Sequence, residues 1–396
     1  MSDKPFPIPD DVASIEPDDL YERLDAGDSF GVVDTRAPAD VDDWRIDGDS
    51  VVFANVPYYQ FLDGVPESAL EELPEARPLY TVCAKGLSSK FVADVLDEAG
   101  VDDVVAVEDG MEGWERVLAS TELSADTDAT VVQFYRPSSG CLSYLVVSDG
   151  EAIVVDPLQA FAEEYVAAAE ERGAELVAAL DTHVHADHIS GVRTLAAEYG
   201  IDAVVPDAAD ERGIEYDEAY DTIADEETIT VGDVAVEAVH SPGHTSGMTS
   251  YLVDDAVLLT GDGLFVESVA RPDLEDGDEG APEAARQLYD TLQDRILALP
   301  ETTLVAPGHV SDSAEQAADG SFTDTLGSIA AAMPALSRDR ESFVEFVLAD
   351  MPPRPDNYEA IIATNLGQQP LDDDTAAELE RGPNNCAATT DATTGQ

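Results

Sequence analysis

The stretch ALDTHVHADHISG (179–191) carries His183, His185, Asp187 and His188 in an H-x-H-x-D-H spacing. The other three of the six histidines, His240, His244 and His309, follow it. Each sits beside Gly, Asp or Pro, in wording that reads as a turn. A single histidine is most often a satisfied core or surface residue. Six gathered in this way, with an aspartate among them, read as ligands converging on an ion. Neutral imidazole with carboxylate suits Zn, Fe or Mn, whereas thiolate-rich sets suit zinc or iron–sulfur clusters.

A second chemistry centres on Cys83, in YTVCAKGLSSKFVADVL (80–96). The cysteine ends a strand, enters a short glycine-containing turn, and that turn opens a helix. Turn amides and the positive helix end stabilise an anionic sulfur. The chain has three lysines, Lys4, Lys85 and Lys90, and two of them closely follow Cys83. They are expected to lower its thiol pKa. Cys141, in the alternating run SGCLSYLVV, reads as a core thiol, and Cys386, in a polar tail, as incidental.

The elements that must position these groups come in two styles. Residues 12–119 alternate helix and strand (PDDLYERLDAG, FGVVDTR, PLYTVCA, SKFVADVLDEAG, VDDVVAVEDGMEGWERVL), which predicts an α/β domain on a parallel sheet. Residues 120–129 are polar, lack periodicity and read as a linker. A second domain is expected over 130–380. It starts as a β-meander (TVVQFYR, CLSYLVVSD, EAIVVDP), followed by a helix near 160–172 and the strand LVAALDTH, which puts the histidine loop at a strand's carboxyl end. VHSPGHTSG (239–247), LLTGDGLF (258–265) and LVAPGHV (304–310) repeat the pattern of an apolar strand emptying into a glycine turn with a ligand-type residue. A short helical extension covers about 325–380, and 381–396 read as a disordered tail.

Against 19 basic residues stand 85 acidic ones, a net charge of −66, dispersed through apolar-containing segments. That suits a halophile surface of carboxylates screened by concentrated salt. It argues against nucleic acid or an anionic membrane as partner. Three well-separated cysteines imply no disulfide framework, and no apolar run is long enough to span a bilayer. The expectation is a soluble, cytoplasmic protein; a homodimer is allowed.

The four ordered histidine and aspartate motifs resemble the metallo-β-lactamase superfamily over 130 to about 310. The resemblance implies an αββα sandwich with metal at the sheet edges. In a binuclear member His183, His185 and His244 would hold one ion, Asp187, His188 and His309 the other, and Asp262 would bridge, with His240 outside the ligand set. Two branches fit. One is similar to glyoxalase II, a hydrolase of glutathione thioesters with two Zn(II). The other is similar to persulfide dioxygenase, with one Fe(II) on His183, His244 and Asp262 while His185, Asp187, His188 and His309 support it. The wording HADHISG and ESVARPDL favours the latter, and Arg271 is then expected to bind a substrate carboxylate.

Residues 12–118 resemble a rhodanese domain through VVDTR, CAKGLSS and VEDGMEGWERV. The resemblance implies Cys83 as the sulfur carrier, a persulfide loop containing Lys85, Gly86 and Ser88, and an Asp34–Arg36 ion pair. The arginine common in such loops is replaced here by Ala84 and Ser88 or Ser89. The two resemblances together imply oxidation of a thiol persulfide by O2 to sulfite and thiol, joined to sulfane-sulfur transfer, with sulfite an acceptor that would give thiosulfate. The carboxylate surface also carries a prediction. The melting midpoint should climb as KCl rises from about 0.1 M to about 1 M, where the screening length contracts from ~10 to ~3 Å; a level or falling midpoint would contradict it.

Overall fold

The computed structural model describes residues 6–9, 11–42, 44–310, 314–349, 351–370, 373–381 and 386–388. The chain divides into two compact units, one over 1–119 with 136–139, the other over 120–135 with 140–396.

In the first unit, strands β1 (Ser14–Ile15), β2 (Phe30–Asp34), β3 (Val51–Asn55), β4 (Leu79–Val82) and β5 (Val104–Val107) form a sheet in the order β1-β5-β4-β2-β3. All its pairings are parallel. A parallel sheet must be covered on both faces, and β2, FGVVD, is buried along its whole length. Val33, Leu79, Val92 and Leu96 pack on one side, and Leu20, Val32, Tyr80 and Trp114 on the other. Asp34, fully buried at the end of β2, is neutralised by Arg36 at 2.7 Å.

Cys83 leaves β4 and the helix Leu87–Glu98 begins after Gly86, whose φ is 71°. A second turn closes on this loop. Met111 N–H donates to the Cys83 carbonyl at 2.7 Å and Glu112 N–H to that of Ala84 at 3.0 Å. Contact this tight requires glycine at 110, where φ is +59° and a Cβ would lie 2.0 Å from the Cys83 carbonyl oxygen.

The second unit holds two sheets. The first contains β6 (Ala119–Glu122), β7 (Thr130–Arg136), β8 (Cys141–Ser148), β9 (Glu151–Val155), β10 (Glu175–Leu180), β11 (Asp202–Pro206) and β12 (Asp221–Ile223), in the order β12-β11-β10-β9-β8-β7-β6. The second runs in sequence order through β13 (Thr228–Val231), β14 (Val234–His240), β15 (Thr249–Val253), β16 (Val257–Gly261), β17 (Leu304–Pro307) and β18 (Asp324–Thr325). Leu142, Tyr144, Ile153 and Leu180 of one sheet interleave with Val236, Tyr251, Leu259 and Ala306 of the other. The helix Ala162–Glu171 packs on β8, β9 and β10 outside the first sheet. Ala285 and Leu288 of the helix Gly277–Thr291, with Phe343 and Val347 of Arg340–Ala349, cover Leu258 and Val305 outside the second. The architecture is an αββα sandwich with helices Leu326–Ala332, Arg340–Ala349, Tyr358–Asn365 and Asp373–Leu379 after it.

Part of the stretch expected as a linker is built into this unit. Ser120–Glu122 belong to β6, Leu123 is buried and donates its N–H to Val131 at 2.9 Å, and the Asp254 carboxylate receives Thr127 and Asp128. Of the tail, Arg381 and Cys386–Ala388 alone are among the described residues, so the disorder expected for 381–396 mostly lies outside them. Among the described residues no helix is long and apolar enough to cross a membrane.

Strand direction brings the motifs together. Pairing is antiparallel from β14 to β15 to β16 and parallel from β16 to β17, so the carboxyl ends of β14, β16 and β17 share an edge. Thr249 N–H, entering β15 beside that edge, donates to the Thr182 carbonyl just past β10 at 2.8 Å, tying the histidine loop to it. The Cys83 loop carries a further prediction. Gly110→Ala should destabilise the protein in urea denaturation by at least about 1 kcal/mol more than Gly27→Ala, which shares the positive φ but not the clash. Equal effects would show that the contact with Cys83 is unimportant.

Candidate metal centre

His183 lies two residues past Asp181 on the loop after β10, His244 on the turn after β14, and Asp262 directly after β16. All three are essentially fully buried. The Asp262 Oδ2 atom stands 3.7 Å from His183 Nε2 and 3.6 Å from His244 Nε2. None of these three buried atoms has a hydrogen-bond partner. An unsatisfied buried polar atom costs about 1–3 kcal/mol, so three facing one another mark a place for something that satisfies all of them.

The remaining contacts determine which ring nitrogens are free. His244 Nδ1 donates to the Arg271 carbonyl at 2.9 Å. The single Thr182 hydroxyl hydrogen goes to Asp156 Oδ2 at 2.9 Å, so at 2.9 Å from its oxygen His183 Nδ1 must be the donor. Both Nε2 atoms therefore carry lone pairs toward Asp262. Burial holds both rings below the ordinary histidine range, His183 well below, so they are neutral near pH 7. Burial works against ionised Asp262, but the His309 charge and hydrogen bond outweigh it, and its pKa falls below the usual carboxylate range. Two neutral imidazoles and one carboxylate are the donor set of a divalent metal, and they fit it.

The other candidates make hydrogen bonds with one another and with Asp156, leaving His185 Nδ1 and His188 Nε2 buried without partners. His309 is hydrogen-bonded through Nδ1 to Asp262 Oδ1 at 2.5 Å and through Nε2 to Asp187 Oδ2 at 2.7 Å. Despite burial, the Asp187 and Asp262 carboxylates hold its pKa well above normal, as an imidazolium donating to both. His188 Nδ1 meets the same Asp187 oxygen at 3.1 Å. His185 turns Nε2 to Asp156 Oδ1 at 3.1 Å, and although burial and His188 oppose it, Asp156 and Asp181 raise its pKa to about 9. Asp156 was not singled out by its spacing, because it follows β9 far from the histidine motif. His240 stays outside the cluster, bonded to the Ser246 carbonyl at 2.9 Å.

Arg271 departs from the expected role of binding a substrate carboxylate. It is fully buried, its guanidinium bonded to Asp273 at 2.7 and 3.0 Å and to the carbonyls of Pro353 and Pro352 at 2.8 and 3.1 Å. What it offers the centre is its carbonyl, which orients His244. Cys386, expected to be incidental, is buried with ligand-type atoms of Asp262 and His309 within 4.8 Å, and its carbonyl accepts from Arg271 N–H at 3.1 Å. A tail cysteine inside a polar run gave no sequence signal of this.

In the first unit, Cys83 is buried with Sγ 3.3 Å from Ser89 Oγ, while Gly86 is buried and Ser88 half-buried beside it. The lysines do not leave a net positive charge at the loop. Lys85 pairs with Glu112 at 2.7 Å and Lys90 with Glu108 at 2.5 Å, because the turn that closes on the loop is acidic.

Residues 16–117 match the rhodanese-like domain and residues 137–309 the metallo-beta-lactamase superfamily. The mitochondrial persulfide dioxygenase ETHE1 of Bos taurus is 28% identical over 238 residues, 59% of this chain and 86% of that protein. A hydroxyacylglutathione hydrolase of Xanthomonas campestris is 39% identical over 166 residues, 42% of this chain and 58% of that relative. The crystal structure of ETHE1 from Myxococcus xanthus superimposes with a TM-score of 0.51 at 26% identity, covering 60% of this chain and 98% of that one.

The contact pattern separates the ligand residues experimentally. Asp262→Ala should lose the bound metal, whereas His188→Ala should retain it at stoichiometric loading and lose activity by about 10–100-fold, as for outer hydrogen-bonding partners. Equal metal loss in the two variants, measured by elemental analysis after gel filtration, would overturn the three-residue ligand set.

Proposed function

Because the chain joins a rhodanese-like domain to a metallo-β-lactamase-superfamily domain, we propose that it oxidises a low-molecular-weight thiol persulfide with O2 and one water, yielding sulfite, the thiol and a proton. The sulfane sulfur would be exchanged on Cys83. The observation that carries this reading is the division of the ligand residues. His183, His244 and Asp262 each turn a partnerless atom toward a common point, with Asp262 Oδ2 3.7 and 3.6 Å from the two Nε2 atoms, while His309, Asp187 and His188 are hydrogen-bonded among themselves and leave His188 Nε2 over. A two-histidine, one-carboxylate face with open positions suits a single non-haem Fe(II). When bound there, Fe(II) would supply the coordination sites and the redox chemistry that bring O2 and the persulfide sulfur together.

The chain's own contribution is positioning. The Arg271 carbonyl and the Thr182 hydroxyl hold the two rings in one tautomer. The His309 imidazolium keeps Asp262 ionised and turned toward them. On the rhodanese side, the N-terminus of the helix Leu87–Glu98 lies beside Cys83 and favours a persulfide anion on it. A glyoxalase II-type thioester hydrolase with two Zn(II) is the second reading, favoured by the higher identity of the hydrolase match, though over fewer residues.

Oxygen uptake by Fe(II)-loaded protein in concentrated KCl, with a thiol persulfide as substrate, tests the proposal. Uptake matched by sulfite is expected. Cys83→Ser should abolish sulfane-sulfur transfer yet leave oxidation of supplied persulfide within about 2-fold, since its hydrogen-bond network is separate from the metal cluster. No uptake, with thioester hydrolysis by the zinc-loaded form, would assign the hydrolase instead.

A further inference from the structure

Cys386–Ala388, from the polar end of the chain, pair with the segment that follows Asp262. The Arg271 N–H donates to the Cys386 carbonyl at 3.1 Å and the Ala388 N–H to the Val269 carbonyl at 2.9 Å, around an antiparallel Ala270–Ala387 bridge. Cys386 is buried and gathers with Ala186 of the histidine loop and with Phe265 and Leu274 beyond Asp262. Its Sγ and one donor atom each of Asp262 and His309 lie within 4.8 Å of one another. Ala388 is fully buried in the apolar cluster that holds Leu258 and Val305. Earlier in the chain, the Glu380 carboxylate accepts the N–H of Ile189, directly after His188, at 2.7 Å. The end of the chain is therefore fixed at both segments that carry ligand residues, and His183, His244 and Asp262 beside it are at most 1% exposed.

We propose that Cys386–Ala388 is a removable strap: paired with 269–271 it closes the metal centre, and it must unpair before a substrate reaches His183, His244 and Asp262. What holds it is small, namely two backbone hydrogen bonds, one thiol and two methyl groups. A segment with so few buried contacts opens locally far more readily than a core strand. The strand β16, for comparison, is buried throughout and paired on both sides. Arg271 couples the strap to the metal. Its N–H is held by Cys386 and its carbonyl orients His244, so unpairing loosens the residue that fixes the ligand ring. The strap should therefore govern how firmly the centre keeps its metal as well as what reaches it. This inference rests on the metal-centre reading and holds for either reaction, since both need the same face uncovered.

Labelling of the full-length protein with N-ethylmaleimide, followed cysteine by cysteine by peptide mass spectrometry, tests this. Cys386 and Cys141 are both buried, yet Cys386 should react at least about 10-fold faster than Cys141 and about 10-fold slower than in a synthetic peptide of residues 381–396. A rate equal to that of Cys141 would mean that the segment does not open, and a rate equal to the peptide's that it does not close. Either result overturns the proposal, and neither needs a variant. Ala388→Asp puts a carboxylate into the apolar cluster and should release the strap. Its Cys386 should then react at the peptide's rate, and zinc should pass from the loaded protein to a chromophoric chelator about 10-fold faster than from the unmutated one. Cys141 that still reacts slowly reports that the variant is folded, and Ala388→Gly, which keeps the pairing, should match the unmutated protein. Unchanged zinc release with Cys386 freed would refute closure of the centre. None of these readouts involves O2, persulfide or thioester, so failure of the strap and failure of the oxidation reading are told apart.

Discussion

The buried carboxylate of Asp262 is the constraint on which the second unit's chemistry depends. An ionised carboxylate in a water-free setting is costly unless it is paired and hydrogen-bonded. One of its oxygens is stabilised by His309, and the other is left to face His183 and His244. The His309 bond therefore does two things at once. It supplies the charge that keeps Asp262 ionised, and it turns the second oxygen toward the two neutral rings. His309 is in turn held by Asp187, so a carboxylate–imidazolium–carboxylate chain runs across the sandwich edge.

That chain exists because of how the two sheets end. The β14, β16 and β17 strands point their carboxyl ends the same way, and the loop after β10 meets them through Thr182 and Thr249. Apolar strands such as VLLTG are buried throughout and provide a rigid floor, while the turns that follow carry the polar groups. Ligands placed on strand ends have little freedom, as a centre needs when its donor atoms must stay close without satisfying one another. Arg271 and Asp273 extend this outward, anchoring the segment near Pro352 and Pro353 beside the carbonyl that orients His244.

Charge is managed differently around Cys83. Each lysine near the loop meets a glutamate of the acidic turn that closes on it, so the sulfur is left to backbone dipoles and Ser89. In a chain with 85 acidic residues, a nearby carboxylate for every ammonium is the ordinary outcome, and scarcity of lysine alone says little about local field. The same scarcity bears on Arg271. Its guanidinium, buried in a strongly acidic chain, is held by Asp273 and by carbonyls.

Much of this was legible in the residues themselves. Strand runs ending in glycine turns announced both folds, and the H-x-H-x-D-H spacing with His244, Asp262 and His309 announced a metal centre, because ligand chemistry restricts which residue types can stand there. Sequence spacing could not say which ring nitrogen is free, since that depends on Thr182, Asp156 and the Arg271 carbonyl meeting the rings in space. Nor could it bring Cys141 opposite His309, a strand register across 168 residues of chain, or draw Cys386 in from the tail. The sequence by itself determined the donor types and the strand ends that carry them. Tertiary structure alone decided which donors face a common point and which neutralise one another, because hydrogen bonds and charges act over a few ångströms of space, not along the chain.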